Sequence, residues 1–154
     1  MPPAMLSVRT HCPNVSIVRL LEVGKTLSLR TELVANSVPP AWLRRNGHLV
    51  DRVTLPLQSR EDWLDLTASV AVVRAEGVEL GLETTVPRGR GRASLGFSRL
   101  IGALQPISWK VTLESPEDLE AFIIRNSMAL DAVPEVFVDV RRCLLYTSPS
   151  PRDS

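Results

Sequence analysis

The prediction of the fold starts from residues 51–83, which read DRVTLPLQSREDWLDLTASVAVVRAEGVELGLE. The middle of this stretch places apolar residues at every second position: Leu64, Leu66, Ala68, Val70 and Val72. Because successive side chains of a strand leave opposite faces of a sheet, this period of two predicts a half-buried β-strand. A second alternating run, Val78–Leu82, follows Gly77, which can take the positive φ of a tight turn. Together the two runs predict an antiparallel hairpin.

The residues before this hairpin predict three further strands. Val53–Leu57 alternates in the same way, with Pro56 typical of a sheet edge or bulge. Val15–Val23 and Leu27–Leu33 give two more runs, separated by the turn residues Gly24-Lys25. Five closely spaced strands without a long helix predict a small antiparallel β-barrel of about five to six strands over residues 15–86. Residues 1–14 are interpreted as a lead-in.

The pattern changes after the predicted barrel. Residues 87–106 begin with PRGRGR and are interpreted as a linker that contains a short helix at Leu95–Leu104. Residues 107–142 predict a β-α-β segment with a helix at Glu117–Leu130, where Ser115 and Pro116 are typical of a helix start. A strand-helix-strand unit of this length suits a parallel crossover, so the predicted fold class is α+β.

The last twelve residues, 143–154, read CLLYTSPSPRDS and have no apolar period. They resemble the peptide that results when a sequencing-adapter end is translated. We therefore expect a non-native tail, with the natural chain truncated after Arg142. A disordered natural tail is the alternative.

The composition narrows the class of protein. With 154 residues and 44% hydrophobic content, the chain is long enough to bury a sizeable core. The net charge of +1 gives no overall field for nucleic acid or an anionic membrane, so neither partner is expected. No apolar run approaches the ~20 residues of a membrane span. Two cysteines, Cys12 and Cys143, make no disulfide framework, which favours a cytoplasmic location.

The sequence predicts no catalytic residue, no metal ligand set and no cofactor. The histidines His11 and His48 and the cysteine Cys12 lack the spacing of a metal site. Arginines are the candidate ligand-binding residues, since a guanidinium group can bind phosphate through two hydrogen bonds. They form one pair before the Asn46-Gly47 turn and one cluster in the linker: Arg44, Arg45, Arg88, Arg90 and Arg92. A solvated linker is the alternative interpretation of that cluster.

Several of these segments, in order, resemble the PilZ domain. They are Asn36–Pro40, Gly47, and the runs VTLPL, LTASVAVVR and GVELGLE, within Val15–Glu83. The PilZ family is a small β-barrel that commonly binds cyclic di-GMP, so the resemblance implies a barrel and a cyclic dinucleotide as a partner. Asn36 takes the first position of the family's Asn/Asp-x-Ser-x-x-Gly motif, whereas Val38 and Ala41 replace its serine and glycine.

These observations lead to three functional hypotheses. The first is a non-catalytic signalling or protein-interaction module with a protein partner. The second is a domain that binds cyclic di-GMP or another phosphate ligand through Asn36 and the arginines named above. The third is the regulatory part of a larger enzyme whose catalytic region follows residue 142.

Overall fold

The structure is a computed structural model that describes residues 4–57, 63–88 and 96–141. In this part of the chain, strands and helices alternate. The order is β1 (Met5–Thr10), α1 (Val15–Thr26), β2 (Arg30–Ala35), α2 (Pro40–Asn46), β3 (Arg52–Leu57), α3 (Trp63–Ala75), β4 (Glu79–Val86), α4 (Ser98–Leu104), β5 (Ser108–Leu113), α5 (Leu119–Arg125), α6 (Ser127–Ala132) and β6 (Glu135–Val140). Two short 3₁₀ turns, Gly47–Leu49 and Pro116–Asp118, precede β3 and α5.

The six strands form one parallel sheet in the sequential order β1-β2-β3-β4-β5-β6. The predicted antiparallel barrel is therefore wrong, and the PilZ-type barrel that the family resemblance implied is absent. Parallel neighbours need a crossover connection rather than a tight turn, and an α-helix lies between each pair of consecutive strands. The result is a half-barrel of β/α units, in which the strands of segments 15–86 and 107–142 share one sheet.

Two segments predicted as strands are helices, and this explains the error. In α1 the buried residues are Ile17, Leu21 and Gly24, and in α3 they include Leu66, Val70 and Val73. Both sets follow the i, i+4, i+7 spacing of one helical face. The Asn14 side chain begins α1 by accepting hydrogen bonds from the backbone N–H groups of Ser16 and Ile17, at 3.0 and 3.3 Å.

Other local predictions agree with the structure. Strands β2 to β6 overlap the predicted apolar runs, and β5 pairs with β6 in parallel as the crossover prediction requires. Helix α4 lies within the predicted Leu95–Leu104 helix. The predicted Glu117–Leu130 helix is instead a 3₁₀ turn followed by α5 and α6. Gly77 does have a positive φ, +70°, but it connects α3 to β4 rather than two strands of a hairpin.

The predictions for the two ends of the chain have different outcomes. Residues 5–10, expected to be part of a loose lead-in, form the outer strand β1. The predictions for residues 143–154 lie outside the described residues. None of the helices in the described ranges is both long enough and apolar enough to cross a bilayer.

One face of the sheet is apolar and carries the helices. Leu33, Val53, Leu82, Trp109 and Leu113 on the strands belong to a single core cluster. The same cluster contains residues of all six helices: Ile17, Leu21, Leu43, Leu66, Val70, Val73, Leu100, Ile101, Leu104, Phe122 and Ala129. Consecutive right-handed crossovers that advance in one direction place all helices on the same side. None of the helices in the described ranges covers the other face of the sheet.

Candidate functional site

The helix-free face of the sheet, here called the concave face, is mostly polar. The alternate strand positions that point to it are Met5, Ser7, Arg9, Arg30, Glu32, Val34, Arg52, Thr54, Pro56, Glu79, Gly81, Glu83, Thr85, Ser108, Lys110, Thr112, Glu135, Phe137 and Asp139. Polar residues inside strands are normally explained by contact with water. Here Glu32, Thr54 and Arg52 are nevertheless buried, because the curved sheet brings the side chains of this face together.

Glu32 is the centre of this polar network. Its carboxylate is fully buried and accepts hydrogen bonds from the Ser7 hydroxyl at 2.8 Å and the Thr54 hydroxyl at 2.6 Å. The Lys110 ammonium donates to both carboxylate oxygens, at 2.9 and 3.3 Å. Burial alone would raise the pKa of Glu32, but the hydrogen bonds from Thr54, Lys110 and Ser7 outweigh it and lower the pKa below its ordinary 4.5. Glu32 is therefore a carboxylate.

Three ion pairs cross the concave face between strands that are three positions apart. Arg9 on β1 pairs with Glu83 on β4 at 2.7 Å, and Lys110 on β5 pairs with Glu32 on β2 at 2.9 Å. Arg52 on β3 pairs with Glu135 on β6 at 2.8 Å. Strands three apart are separated by about 14 Å along a flat sheet. Their side chains meet because the sheet curves, so we call these three contacts the cross-sheet ion pairs.

A cleft of about 340 Å³ opens at the carboxyl ends of β1 to β4. We call it the carboxyl-end cleft. Its lining residues are Arg9, Thr10, His11, Asn36, Pro56, Leu57, Glu83 and Thr85. In parallel β/α barrels the loops at the carboxyl ends of the strands carry the binding and catalytic groups. Several hydrogen-bonding side chains converge in this cleft, which is typical of a site for a small polar molecule.

The charged groups of the cleft are Arg9 and Glu83. The two terminal nitrogens of the Arg9 guanidinium donate to the two carboxylate oxygens of Glu83, at 2.8 and 2.7 Å. The Glu83 hydrogen bond raises the pKa of Arg9 above its ordinary value, although partial burial opposes this. The Arg9 side chain is 62% exposed and that of Glu83 is 19% exposed. The Arg9 side chain is therefore largely exposed to solvent, while Glu83 is mostly buried.

The residues that the sequence singled out are not brought together. Asn36 follows β2 and lines the cleft. Arg44 and Arg45 lie in the last turn of α2 and are exposed. Because α2 runs back from the carboxyl edge of the sheet, that turn lies towards the opposite edge. Arg88 is exposed just after β4. Arg90 and Arg92 lie outside the described residues.

Arg88 is not among the residues that line the cleft and lies near the connection after β5. The hydrogen bond from Ser115 is the main cause that lowers the pKa of Glu117, and the positive charge of Arg88 also lowers it. Glu117 belongs to the 3₁₀ turn after β5. Arg88 is therefore placed at the carboxyl edge of the sheet, in the direction of β5.

Asn36 is the single predicted site residue among those that line the cleft, and the lining residues that the sequence missed include Arg9, His11 and Glu83. Arg9 falls in the segment interpreted as a lead-in, and Glu83 directly follows the predicted strand Val78–Leu82. The pattern that could have indicated them is the charged residue inside an apolar strand, as in MLSVRT and ELGLETTV. In an antiparallel barrel such residues face water, whereas in this sheet they share a concave interior.

The described residues contain no group of three or more His, Cys, Asp or Glu side chains that could hold a metal ion. Cys12 is a free, exposed thiol two residues beyond β1. The chemistry present in the cleft is therefore that of hydrogen bonding and charge recognition by a guanidinium, an imidazole, an amide, a carboxylate and hydroxyl groups.

Comparison with known proteins supports the fold. The crystal structure of SuiB from Streptococcus suis is similar to this chain, with a TM-score of 0.61 at 12% sequence identity. The similarity covers 94% of this chain and 40% of SuiB, so this chain spans well under half of the SuiB length. At this identity the similarity shows the fold alone.

A universal stress protein from Archaeoglobus fulgidus is a weaker match, with a TM-score of 0.24 and 15% identity over 88% of this chain and 92% of that protein. A superposition this poor carries no argument. No protein-family model and no curated protein matches this chain. The expectation of cyclic di-GMP binding is corrected here, since it came from a resemblance whose antiparallel barrel the parallel sheet replaces.

Proposed function

We propose that this chain is a ligand-binding domain that takes a small polar molecule in the carboxyl-end cleft. The observation that supports this most directly is the position of the cleft. Its 340 Å³ volume lies at the strand ends where β/α barrels place their ligands, and Arg9, His11, Asn36 and Glu83 line it. In this proposal the domain is non-catalytic and its binding serves signalling to a protein partner.

A cytoplasmic location is part of the same proposal. The exposed free thiol of Cys12 supports it, because accessible unpaired cysteines are typical of proteins in a reducing compartment.

Ligand binding is tested with a variant that places a bulky side chain at the rim of the cleft. Asn36 and Ser37 are adjacent and both exposed, but only Asn36 lines the cleft. We expect Asn36→Trp to abolish the binding of small carboxylates, phosphates and amino acids in ligand-observed NMR, whereas Ser37→Trp should leave it unchanged. Equal binding by both variants, or no binding by the unmodified protein, would contradict the proposal.

A second candidate is that the domain forms the binding or regulatory part of a larger enzyme. The similarity to SuiB favours it, since there the same fold occupies 40% of a longer chain. Sequencing the gene on both sides of this reading frame tests this candidate. Stop codons that bracket these residues closely would eliminate it.

A further inference from the structure

The Arg9–Glu83 ion pair fills the cleft with the chemistry that a ligand would supply. The Glu83 carboxylate faces the guanidinium with both oxygens, at 2.8 and 2.7 Å. This two-point contact is the preferred geometry between arginine and any carboxylate. Glu83 therefore stands where the carboxylate of a small ligand would bind to Arg9.

Exchange of Glu83 for a ligand carboxylate is energetically accessible. The Arg9 side chain is 62% exposed, and ion pairs in contact with solvent contribute little to stability. A ligand carboxylate would restore both hydrogen bonds of the guanidinium. The remaining cost is the charge of Glu83, which would be left without its cation in a partly buried position.

Lys110 can compensate that charge. Glu83 on β4 and Lys110 on β5 are direct partners in the register of the sheet and share the concave face. Neighbouring strands lie about 4.8 Å apart, so the long side chains of such a pair are close enough to form an ion pair. Lys110 currently donates to Glu32, but Glu32 also keeps the hydroxyl hydrogen bonds of Ser7 and Thr54. The Lys110 side chain is 40% exposed, and its ammonium has three donor hydrogens, so it can reach Glu83 while it still donates to Glu32.

We propose that the cleft recognises a small carboxylate, which binds Arg9 in place of Glu83 while Glu83 turns to Lys110. This inference rests on the proposed function and names its ligand class. His11, Asn36 and Thr85, which line the same cleft, supply the hydrogen-bonding groups for the remainder of the ligand.

The experiment uses acetate as the probe and follows the full chain by ¹H–¹⁵N NMR titration. Glu83→Gln removes the internal competitor, so we expect it to bind acetate roughly two- to fivefold more tightly than the unmodified protein. Arg9→Gln should weaken acetate binding by at least about tenfold. Arg44→Gln is the matched control, since Arg44 is an exposed arginine outside the cleft, and its affinity should be unchanged.

The outcomes separate this inference from the proposed function. Weaker acetate binding by Glu83→Gln, or full binding by Arg9→Gln, overturns the inference. If Asn36→Trp still blocks small molecules in that case, the cleft remains the binding site. An affinity gain in Glu83→Gln for inorganic phosphate but not for acetate overturns the assignment to a carboxylate. Folding of each variant is checked by its amide spectrum in the absence of acetate.

Discussion

A buried carboxylate is tolerated in this sheet because its partners surround it. Glu32 has no exposed surface, and it accepts hydrogen bonds from Ser7, Thr54 and Lys110. Removal of the only cation among these partners would leave a negative charge in a poorly solvated position. Loss of this cation should therefore lower the stability of the protein much more than loss of a cation from an ion pair at the surface.

The first prediction compares two lysines. We expect Lys110→Met to lower the free energy of unfolding by about 3 kcal/mol, because Glu32 stays buried without its cation. Lys25→Met is the control, since Lys25 pairs with Asp51 at 2.6 Å with both side chains about one-third exposed, and it should cost under about 1 kcal/mol. Urea denaturation measures both. Equal losses would show that Glu32 is hydrated in the folded protein.

At the scale of residues, the sequence predicted little of the site. Asn36 was identified and lies in the cleft, while Arg44 and Arg45 are remote from it. Arg9, the proposed ligand-binding group, and Glu83, which the ligand would displace, are 74 residues apart in the sequence. Their proximity depends on sheet order and curvature, which residue spacing alone does not encode.

Helix α3 was interpreted as a strand, and this error helped to produce the wrong fold prediction. The run LTASVAVV satisfies a period of two as well as a helical face. In the strand interpretation Ala71 and Val73 point outward together. In the helix Ala71 is exposed, whereas Val73 has no exposed surface. The two interpretations therefore differ most sharply at Val73, and they also differ at Ala68, which the strand would place inward and which is exposed in the helix.

The second prediction uses that difference. Val73→Asp should cost about 3 kcal/mol or more, because it places an unpaired charge in the core. Ala71→Asp, on the exposed side of the same helix, should cost no more than about 1 kcal/mol through helix propensity. Thermal denaturation followed by circular dichroism distinguishes them. Similar melting temperatures for the two variants would favour a strand here.

The third prediction concerns a glycine on β4. A Cβ atom at Gly81 would lie 2.5 Å from the Thr54 hydroxyl oxygen and 2.7 Å from that of Ser108. Because Thr54 is held by its hydrogen bond to Glu32, Gly81→Ala should cost about 1–3 kcal/mol. Gly102→Ala, in α4 with no atom within 4 Å of the added carbon, should instead gain up to about 1 kcal/mol. Chemical denaturation of both variants measures these changes, and a neutral Gly81→Ala would mean that β4 and β5 can separate.

Element positions were predictable where only one structure fits the pattern. The strands β3 to β6 follow short alternating runs, and a helical start was predicted at Ser115 and Pro116, where a 3₁₀ turn does begin although the Ser115 side chain makes no capping hydrogen bond. The start of α1 has a clear N-cap in Asn14, which accepts two backbone hydrogen bonds. Asn14 was interpreted as the end of the lead-in, so only the alternation of Val15–Val23 was considered, and that alternation favoured an antiparallel fold.

For the whole molecule, the pH dependence of stability follows from two carboxylates. Burial opposes the ionised form of each, but hydrogen bonds outweigh it and lower the pKa of Glu32 and of Asp51. For Asp51 these bonds come from Lys25 and from the backbone N–H of Thr31. Because both pKa values are lower in the folded than in the unfolded protein, the unfolded state binds more protons in acid.

The fourth prediction is therefore a loss of stability in acid. The contribution of these carboxylates should be complete above about pH 5 and should fall as the pH drops through their folded pKa values. Urea denaturation between pH 3 and pH 7 measures the slope. Glu32→Gln, which cannot titrate, should show a shallower slope than the unmodified protein. An unchanged slope would mean that Glu32 has the same pKa in both states.

The architecture of the whole molecule was the least predictable level. Whether strands run parallel or antiparallel depends on the connections between them, and two of those connections were interpreted as strands. The β5-α-β6 crossover was predicted correctly and contains the repeating unit of the entire sheet. That unit was interpreted as a separate segment after a barrel, whereas in the structure the same β/α unit repeats along the whole sheet.

The cross-sheet ion pairs also have a kinetic consequence. They join residues 74, 78 and 83 positions apart, whereas each β/α unit closes within a few tens of residues. Contacts of such long sequence separation form late in folding, so the transition state should contain units that have not yet arched into a half-barrel. In stopped-flow measurements, Lys110→Met should then accelerate unfolding and leave the refolding rate nearly unchanged. The curvature that shapes the cleft would thus be the last property the chain acquires and the first it loses.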